Sequence, residues 1–297
     1  MSPVLSTCIL PYQRWEDGAR ASWLRAEELG FDTAYTYDHL SWRTFRAGPW
    51  FGAWPTLTAA AAVTQRIRLG TLVTNPNFRH PVTLAKDLIT LDDISGGRLT
   101  LGVGAGTTGF DATVLGNAPW SPRERADRFA EFVALLDRLL TELVVTSHGT
   151  YFSAEDAHNL PGCVQRPRIP FAVAAFGPRG TRLAAQYGQA WVSTGDPSLF
   201  ETGTPAESDA AIAEQIARLD DACTELDRDP ASIRKVLLTG FTPEASAFLE
   251  SPERWADYAG RHLALGFDEI VVHWPIPDSE FAADQDVFEE IAARGLA

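Results

Sequence analysis

The sequence predicts a single (β/α)8 TIM barrel with a short insertion before the fifth strand. Eight short apolar or β-branched segments alternate with eight amphipathic helical segments over 297 residues, which is typical of a parallel sheet with helical crossovers. No linker or shift in composition divides the chain, so we expect one domain over residues 1–297. Eight such units most simply close into a barrel, and a doubly wound open sheet is the alternative.

The elements follow from apolar periodicity and from residues that start or stop helices. The predicted strands cover residues 4–10, 33–40, 67–74, 99–106, 171–176, 190–194, 233–241 and 269–275. The predicted helices cover residues 14–29, 54–64, 81–94, 122–143, 181–187, 206–227, 252–265 and 280–293. Ser121 and Glu124 form a capping-box pattern at the start of one helix. The stretch 110–120 is predicted as loop, and a hairpin around His148 begins the insertion.

Composition excludes several classes of function. The formal net charge of −14 disfavours nucleic-acid binding, which needs a basic surface. No apolar run is long enough to cross a membrane, and the first residues have no signal-peptide pattern. The three cysteines are far apart, lack metal-ligand spacing and suit a reducing compartment. We therefore expect a cytoplasmic protein without a metal, acting on a small-molecule or peptide-like substrate.

Polar residues gather where the predicted strands end, and catalytic residues of such barrels lie at these ends. Asp38 and His39 follow the aromatic stretch 33–37. Because neighbouring side chains of a strand point to opposite faces, the pair cannot enter one core together. Similar polar ends occur at residues 74–79, 104–108, 176–181 and 193–196 and at His273.

Two strand ends have the pattern of anion-binding turns. GAGTTG (104–109) matches G-x-G-x-x-G, but no helix opens at its glycines, so we reject a Rossmann site. Gly104 and Gly106 still allow a ligand to approach backbone N–H groups. FGPRGT (176–181) joins a strand end to a helix start, where free N–H groups favour anions. We expect Arg179 and Thr181 to add side-chain contacts.

With these motifs assembled, the chain resembles the bacterial luciferase-like monooxygenase superfamily along almost its whole length. The resemblance is strongest in LITLDDISGGRLTLGVGAG (88–106) and includes the Asp-His pair, RHP (79–81) and AAFGPRGTRLAAQYGQAW (174–191). It implies a (β/α)8 barrel that binds coenzyme F420 or FMN at its carboxyl-terminal mouth. The Asp-His pair is most similar to the F420-dependent branch, whereas an FMN-dependent monooxygenase is the alternative. A barrel that has lost its cofactor is a third reading, against which the intact glycines argue.

The resemblance implies roles for individual residues. His39 is expected beside the deazaflavin ring as a proton donor or acceptor, with Asp38 helping to position the ring. A non-proline cis peptide is expected near Thr74-Asn75. The expected cofactor contacts are Asp38, Thr74, Asn75, Gly104, Gly106, Thr107, Ala175, Phe176, Gly177, Pro178 and Arg179. The expected substrate-pocket residues are Trp42, Trp50 and His273.

One departure from the family pattern limits the predicted activity. F420-dependent sugar-phosphate dehydrogenases have a Glu after the G-x-G strand end, where this chain has Thr107 and Thr108. A cluster of basic residues for a sugar phosphate is also lacking, so that activity is not expected. The resemblance implies instead a hydride transfer to or from a C=C, C=N or C=O bond. It also implies a homodimer, because members of the superfamily are often dimeric.

Overall fold

A computed structural model describes residues 3–296 and has ten strands. The strands are β1 Val4–Cys8, β2 Thr33–Thr36, β3 Arg68–Thr71, β4 Leu99–Gly104, β5 Val144–His148, β6 Ser153–His158, β7 Phe171–Ala174, β8 Ala190–Ser193, β9 Arg234–Leu238 and β10 Glu269–His273. Eight of them form a closed barrel in the order β1-β10-β9-β8-β7-β4-β3-β2. Every neighbouring pair in the barrel is parallel. The predicted (β/α)8 barrel is confirmed, and the open sheet is excluded.

The helices surround the barrel. They are α1 Arg20–Glu28, α2 Ala53–Val63, α3 Pro81–Ser95, α4 Phe110–Thr113, α5 Pro122–Thr141, α6 Pro178–Tyr187, α7 Pro205–Glu225, α8 Pro252–Leu265 and α9 Gln285–Arg294. The capping box at Ser121 is confirmed, with Glu124 N–H donating to the Ser121 hydroxyl at 3.3 Å. The antiparallel β5–β6 hairpin is the predicted insertion.

The core has two layers because strand side chains alternate between the two faces of the barrel wall. Along β9, Val236 and Leu238 belong to the cluster inside the barrel, and Leu237 belongs to the cluster beneath the helices. Trp23 and Trp191 are fully buried in the outer layer. The inner layer fills the barrel with side chains, as is typical of (β/α)8 barrels.

Two local predictions were wrong, and a third was right except for its position. The stretch 110–120 is not all loop, because α4 forms one helical turn there, too short to produce an apolar period. The helix after β7 starts at Pro178 rather than at Thr181, since proline is well suited to the first helical position. The non-proline cis peptide predicted at the end of the third strand is present, but it joins Leu72 to Val73, two residues before the expected position.

Candidate active site

A cavity of about 870 Å³ opens at the carboxyl ends of the barrel strands. Its walls come from residues at or just beyond β2, β3, β4, β7, β8 and β9, together with one face of α5 and the start of α6. Ligand sites of drug-sized molecules have volumes of this order. Within the described chain, three arginines and no carboxylate line the cavity, although the whole protein carries a net charge of −14. The local charge therefore favours an anionic ligand.

His39 lines this cavity with a partly exposed imidazole. Its Nδ1 shares a short hydrogen bond with Asp111, a buried residue of α4. Its backbone carbonyl accepts a hydrogen bond from the Trp50 indole at 2.8 Å, and the Trp42 ring lies 4.8 Å from the imidazole between centroids. The other ring nitrogen, Nε2, forms no hydrogen bond to the described residues and is not sealed from solvent. Of the two ring nitrogens, Nε2 is thus the one left open to a ligand.

Asp38 lies on the other side of the backbone and does not line the cavity. Arg79 donates to both of its oxygens, from Nε at 3.1 Å and from Nη2 at 2.6 Å. The Thr74 hydroxyl donates to the same carboxylate at 2.9 Å. Neither Thr74 nor Asp38 lines the cavity, and their side chains are hydrogen-bonded to each other. This network ties the end of β2 to the loop that follows β3.

His273 was expected to contact substrate, but the structure places it beneath the cavity wall. Phe281 stacks on the imidazole with 3.9 Å between centroids and covers it. Its Nε2 shares a 2.7 Å hydrogen bond with the hydroxyl of Tyr37, which does line the cavity. Burial lowers the pKa of His273 to about 3 and raises the pKa of Tyr37 well above its usual value. The pair is therefore neutral near pH 7, and His273 supports Tyr37 from behind. Trp50, which was also expected in the substrate pocket, does not line the cavity; its indole N–H donates to the His39 carbonyl.

The other end of the cavity has the features of an anion site. Gly104, Gly106 and Thr107 line it on one side, and the stretch Ala175–Arg179 lines it on the other. Gly106 has a φ of +73°, and a side chain there would meet the Asn77 amide at 2.8 Å, so this turn, packed against Asn77, requires glycine. Asn75 also lines this region and is almost fully buried.

Arg125 was not recognised in the sequence. It projects from α5 into the same end of the cavity, where Nη1 donates to the Gly106 carbonyl at 3.2 Å. Its Nε is buried without a hydrogen-bond partner among the described residues. A buried guanidinium N–H without a partner is costly, so this atom is suited to a ligand oxygen. Arg179 faces the same region and is paired with Asp127.

Several residues that shape the site had no predicted role. Arg79 was noted only as part of RHP, and Asp111 lay in a stretch assigned to loop. Arg43 lines the mouth of the cavity, with its guanidinium 4.8 Å from the Trp42 ring centroid and 5.7 Å from that of Phe241. A single residue carries no periodic signal, so only the fold reveals these contacts. Two structural absences hold for residues 3–296: no group of side chains is arranged to hold a metal, and no helix is long and apolar enough to span a membrane.

Known proteins resemble this chain in sequence and in fold. An F420-dependent glucose-6-phosphate dehydrogenase of Beutenbergia cavernae is 37% identical over 280 residues, covering 91% of this chain and 76% of that protein. A 4-hydroxyprotoasukamycin monooxygenase of Streptomyces nodosus subsp. asukaensis is 34% identical over 262 residues, covering 84% and 66%. The structure of an F420-dependent secondary alcohol dehydrogenase with an F420-acetone adduct has a TM-score of 0.77 at 21% identity, covering 99% and 100%. The sequence pattern of one family matches residues 16–285, and the chain therefore belongs to the luciferase-like monooxygenase family.

Proposed function

We propose that this protein is an F420-dependent oxidoreductase. The observation that carries the proposal is the free Nε2 of His39 on the wall of a cavity whose far end offers arginines and glycine backbone. Relatives named as F420-dependent glucose-6-phosphate dehydrogenases in three species support it, at 31–37% identity. The proposed catalytic group and the proposed phosphate site then lie in one continuous cavity, as a long cofactor requires.

The residues present fit coenzyme F420. The unpartnered Nε of Arg125 and the glycine-lined turn at Gly106 suit a phosphate, because both offer N–H groups to oxygen. The N–H groups of Arg179 and Gly180 have no partner within α6, since they belong to its first turn. Asn75 is proposed to contact the ring between these two ends. Asp38 and Thr74 are proposed to act indirectly, by fixing the strand ends that carry these residues.

His39 is proposed as the proton donor or acceptor. When bound, F420 supplies a hydride donor or acceptor at C5 of its deazaflavin ring. His39 Nε2 faces the cavity and either gives a proton to the substrate atom that becomes electron-rich or removes one from a hydroxyl or amine. Histidine suits this work because its ordinary pKa is close to neutral pH. Tyr37, held protonated by burial, keeps the neighbouring wall uncharged.

An FMN-dependent monooxygenase is the second candidate. It is favoured by the 34% identity to 4-hydroxyprotoasukamycin monooxygenase and by the family itself. The cavity volume alone does not separate the two flavins. F420 takes precedence because the relative at 37% identity carries that name.

The substrate is proposed to be an apolar molecule rather than a sugar phosphate, although the relatives are named for glucose 6-phosphate. The wall near His39 is formed by Trp42, Phe200 and Phe241, which suit an apolar body. The chain's two lysines contact protein groups elsewhere: Lys86 donates to the His158 carbonyl, and Lys235 pairs with Asp220. The cation at this end is Arg43, which has no carboxylate partner in the described chain. An acidic substituent on the apolar substrate is therefore accommodated.

A turnover panel tests the proposed reaction. Under anaerobic conditions, reduced F420 is mixed with enones, ketones and imines, and oxidised F420 with secondary alcohols and with glucose 6-phosphate. The visible absorbance of the deazaflavin reports turnover. We expect turnover with an apolar compound and none with glucose 6-phosphate. Turnover with glucose 6-phosphate and with no other compound would contradict the substrate class. In a parallel aerobic assay, turnover with reduced FMN but none with F420 would contradict the reaction. Homodimerisation and a cytoplasmic location stay predictions from the sequence.

A further inference from the structure

We propose that Asp111 is a positioning residue that fixes the proton of His39 on Nδ1 and so keeps Nε2 available to the substrate. The inference rests on the proposed function, because it assigns His39 the proton transfer. The two residues are 72 positions apart in the chain. The single turn of α4 after β4 brings the carboxylate to the imidazole.

Both oxygens of Asp111 are committed. Oδ2 shares the short hydrogen bond with His39 Nδ1, and Oδ1 accepts from the Leu40 backbone N–H at 2.9 Å. An ionised carboxylate only accepts hydrogen bonds, so both partners donate to it. A neutral imidazole has one N–H, which the carboxylate places on Nδ1, and the lone pair is then on Nε2. The cavity-facing nitrogen of neutral His39 is thereby a proton acceptor.

The surroundings of Asp111 indicate that its carboxylate positions His39 and does not itself act as a general acid. Asp111 is 7% exposed and does not line the cavity, so it meets no substrate directly. Trp50 donates a hydrogen bond to the His39 carbonyl, and Trp42 packs beside the imidazole. Neither contacts a ring nitrogen through a hydrogen bond, so the Asp111 carboxylate is the group that selects the tautomer of His39. The dehydrogenase pattern has a Glu where this chain has Thr107 and Thr108. Here α4 supplies a carboxylate a few residues later, and it acts through His39.

Asp111→Asn tests whether the carboxylate fixes the proton of His39 on Nδ1, because the substitution changes the hydrogen-bonding groups but hardly the shape of the side chain. The amide oxygen of the variant can still accept from Leu40 N–H, and the amide NH2 then faces Nδ1. Because an NH2 group only donates, Nδ1 must become the acceptor and the proton moves to Nε2. Nitrogen-15 NMR of ring-labelled histidines reads the tautomer, and the signal absent from His39→Gln assigns His39. We expect an Nδ1–H ring in the wild type and an Nε2–H ring in the variant.

A matched control comes from the hairpin. Asp156 lies 3.3 Å from His158 Nε2, and both side chains are exposed far from the cavity lining. We expect Asp156→Asn to leave the His39 signal and the turnover unchanged. With the panel compound that turns over fastest, Asp111→Asn should lower kcat at least about tenfold, with the Kd of F420 and the KM less affected.

The outcomes distinguish this inference from the proposed function. The wild-type tautomer is measured without cofactor, so an Nε2–H ring in the wild type overturns the inference even if the variant fails to fold. An unchanged tautomer and kcat in Asp111→Asn also overturn it. If the tautomer switches as expected but F420 does not bind, the positioning contact stands and the proposed function fails.

Discussion

Asp38 and His39 are adjacent in the chain, yet they belong to two different parts of the molecule. Asp38 is fully buried and receives three hydrogen bonds, from Arg79 and Thr74. His39 is partly exposed, faces the cavity and is held by Asp111. One dipeptide just beyond β2 thus supplies both a structural anchor and a proposed catalytic group. Proximity in sequence therefore does not imply a shared role.

The largest expected effect tests the proposed catalytic role of His39. His39→Gln removes the cavity-facing proton acceptor, and we expect kcat to fall by about 10²- to 10⁴-fold. The Kd of F420 should change little, because the proposed phosphate contacts lie at the other end of the cavity. Steady-state kinetics and fluorescence titration measure the two quantities. Unchanged turnover would remove His39 from the mechanism.

The structural role of Asp38 is tested by removing its partner Arg79. Arg79→Leu leaves the Asp38 carboxylate buried without its main partner, and breaking such a pair costs about 3–5 kcal/mol. Urea unfolding of the variant should show this loss in the free energy of unfolding. Arg123→Leu serves as control, since Arg123 is highly exposed and its nearest ion pair is 3.9 Å long. Equal stability of the two variants would refute the anchoring role.

Unlike His39, His273 is fully covered, and its burial makes the free energy of unfolding depend on pH. His273 has a pKa of about 3 in the folded protein and an ordinary value near 6.5 when unfolded. Below pH 6.5 the unfolded state binds a proton that the folded state does not, so stability falls as the pH drops from 6.5 towards 3. The slope from this group approaches about 1.4 kcal/mol per pH unit.

His273→Gln should remove that slope from urea-unfolding curves recorded between pH 6.5 and pH 4. Burial also lowers the pKa of His262, so His262→Gln should reduce the slope in the same direction, and the two effects should add. A slope unchanged by His273→Gln would show that the ring is charged or solvated in the folded state.

The smallest expected effect concerns the substrate end. Arg43 and Arg46 are both exposed, and each lies over an aromatic ring, but only Arg43 lines the cavity. We expect the F420-loaded protein to bind cinnamate more tightly than cinnamamide, by about fivefold for a partly exposed cation. Arg43→Gln should abolish the difference and Arg46→Gln should keep it. A preference that survives Arg43→Gln would assign the anion to another group.

The fold was predictable from sequence because eight apolar segments with proline, glycine and capping signals recur at regular intervals. The expectation that residues at the carboxyl ends of the strands lie together was also useful, because His39, Asn75, Gly106 and Gly177 all line one cavity. Exposure was not predictable: Asp38 and His273 occupy the expected strand ends, but Arg79 and Phe281 cover them. Asp111 and Arg125 were missed because single polar residues on a short turn or a helix have no pattern until the chain is folded.

The central claim is tested most directly by an anaerobic binding titration of F420 and FMN side by side. Quenching of cofactor fluorescence gives the two Kd values on the same protein, and Arg125→Leu tests the proposed phosphate end. The account predicts tight, saturable F420 binding, weak FMN binding and loss of F420 affinity in the variant. Tight FMN binding with weak F420 binding would contradict it and identify the protein as a flavin monooxygenase.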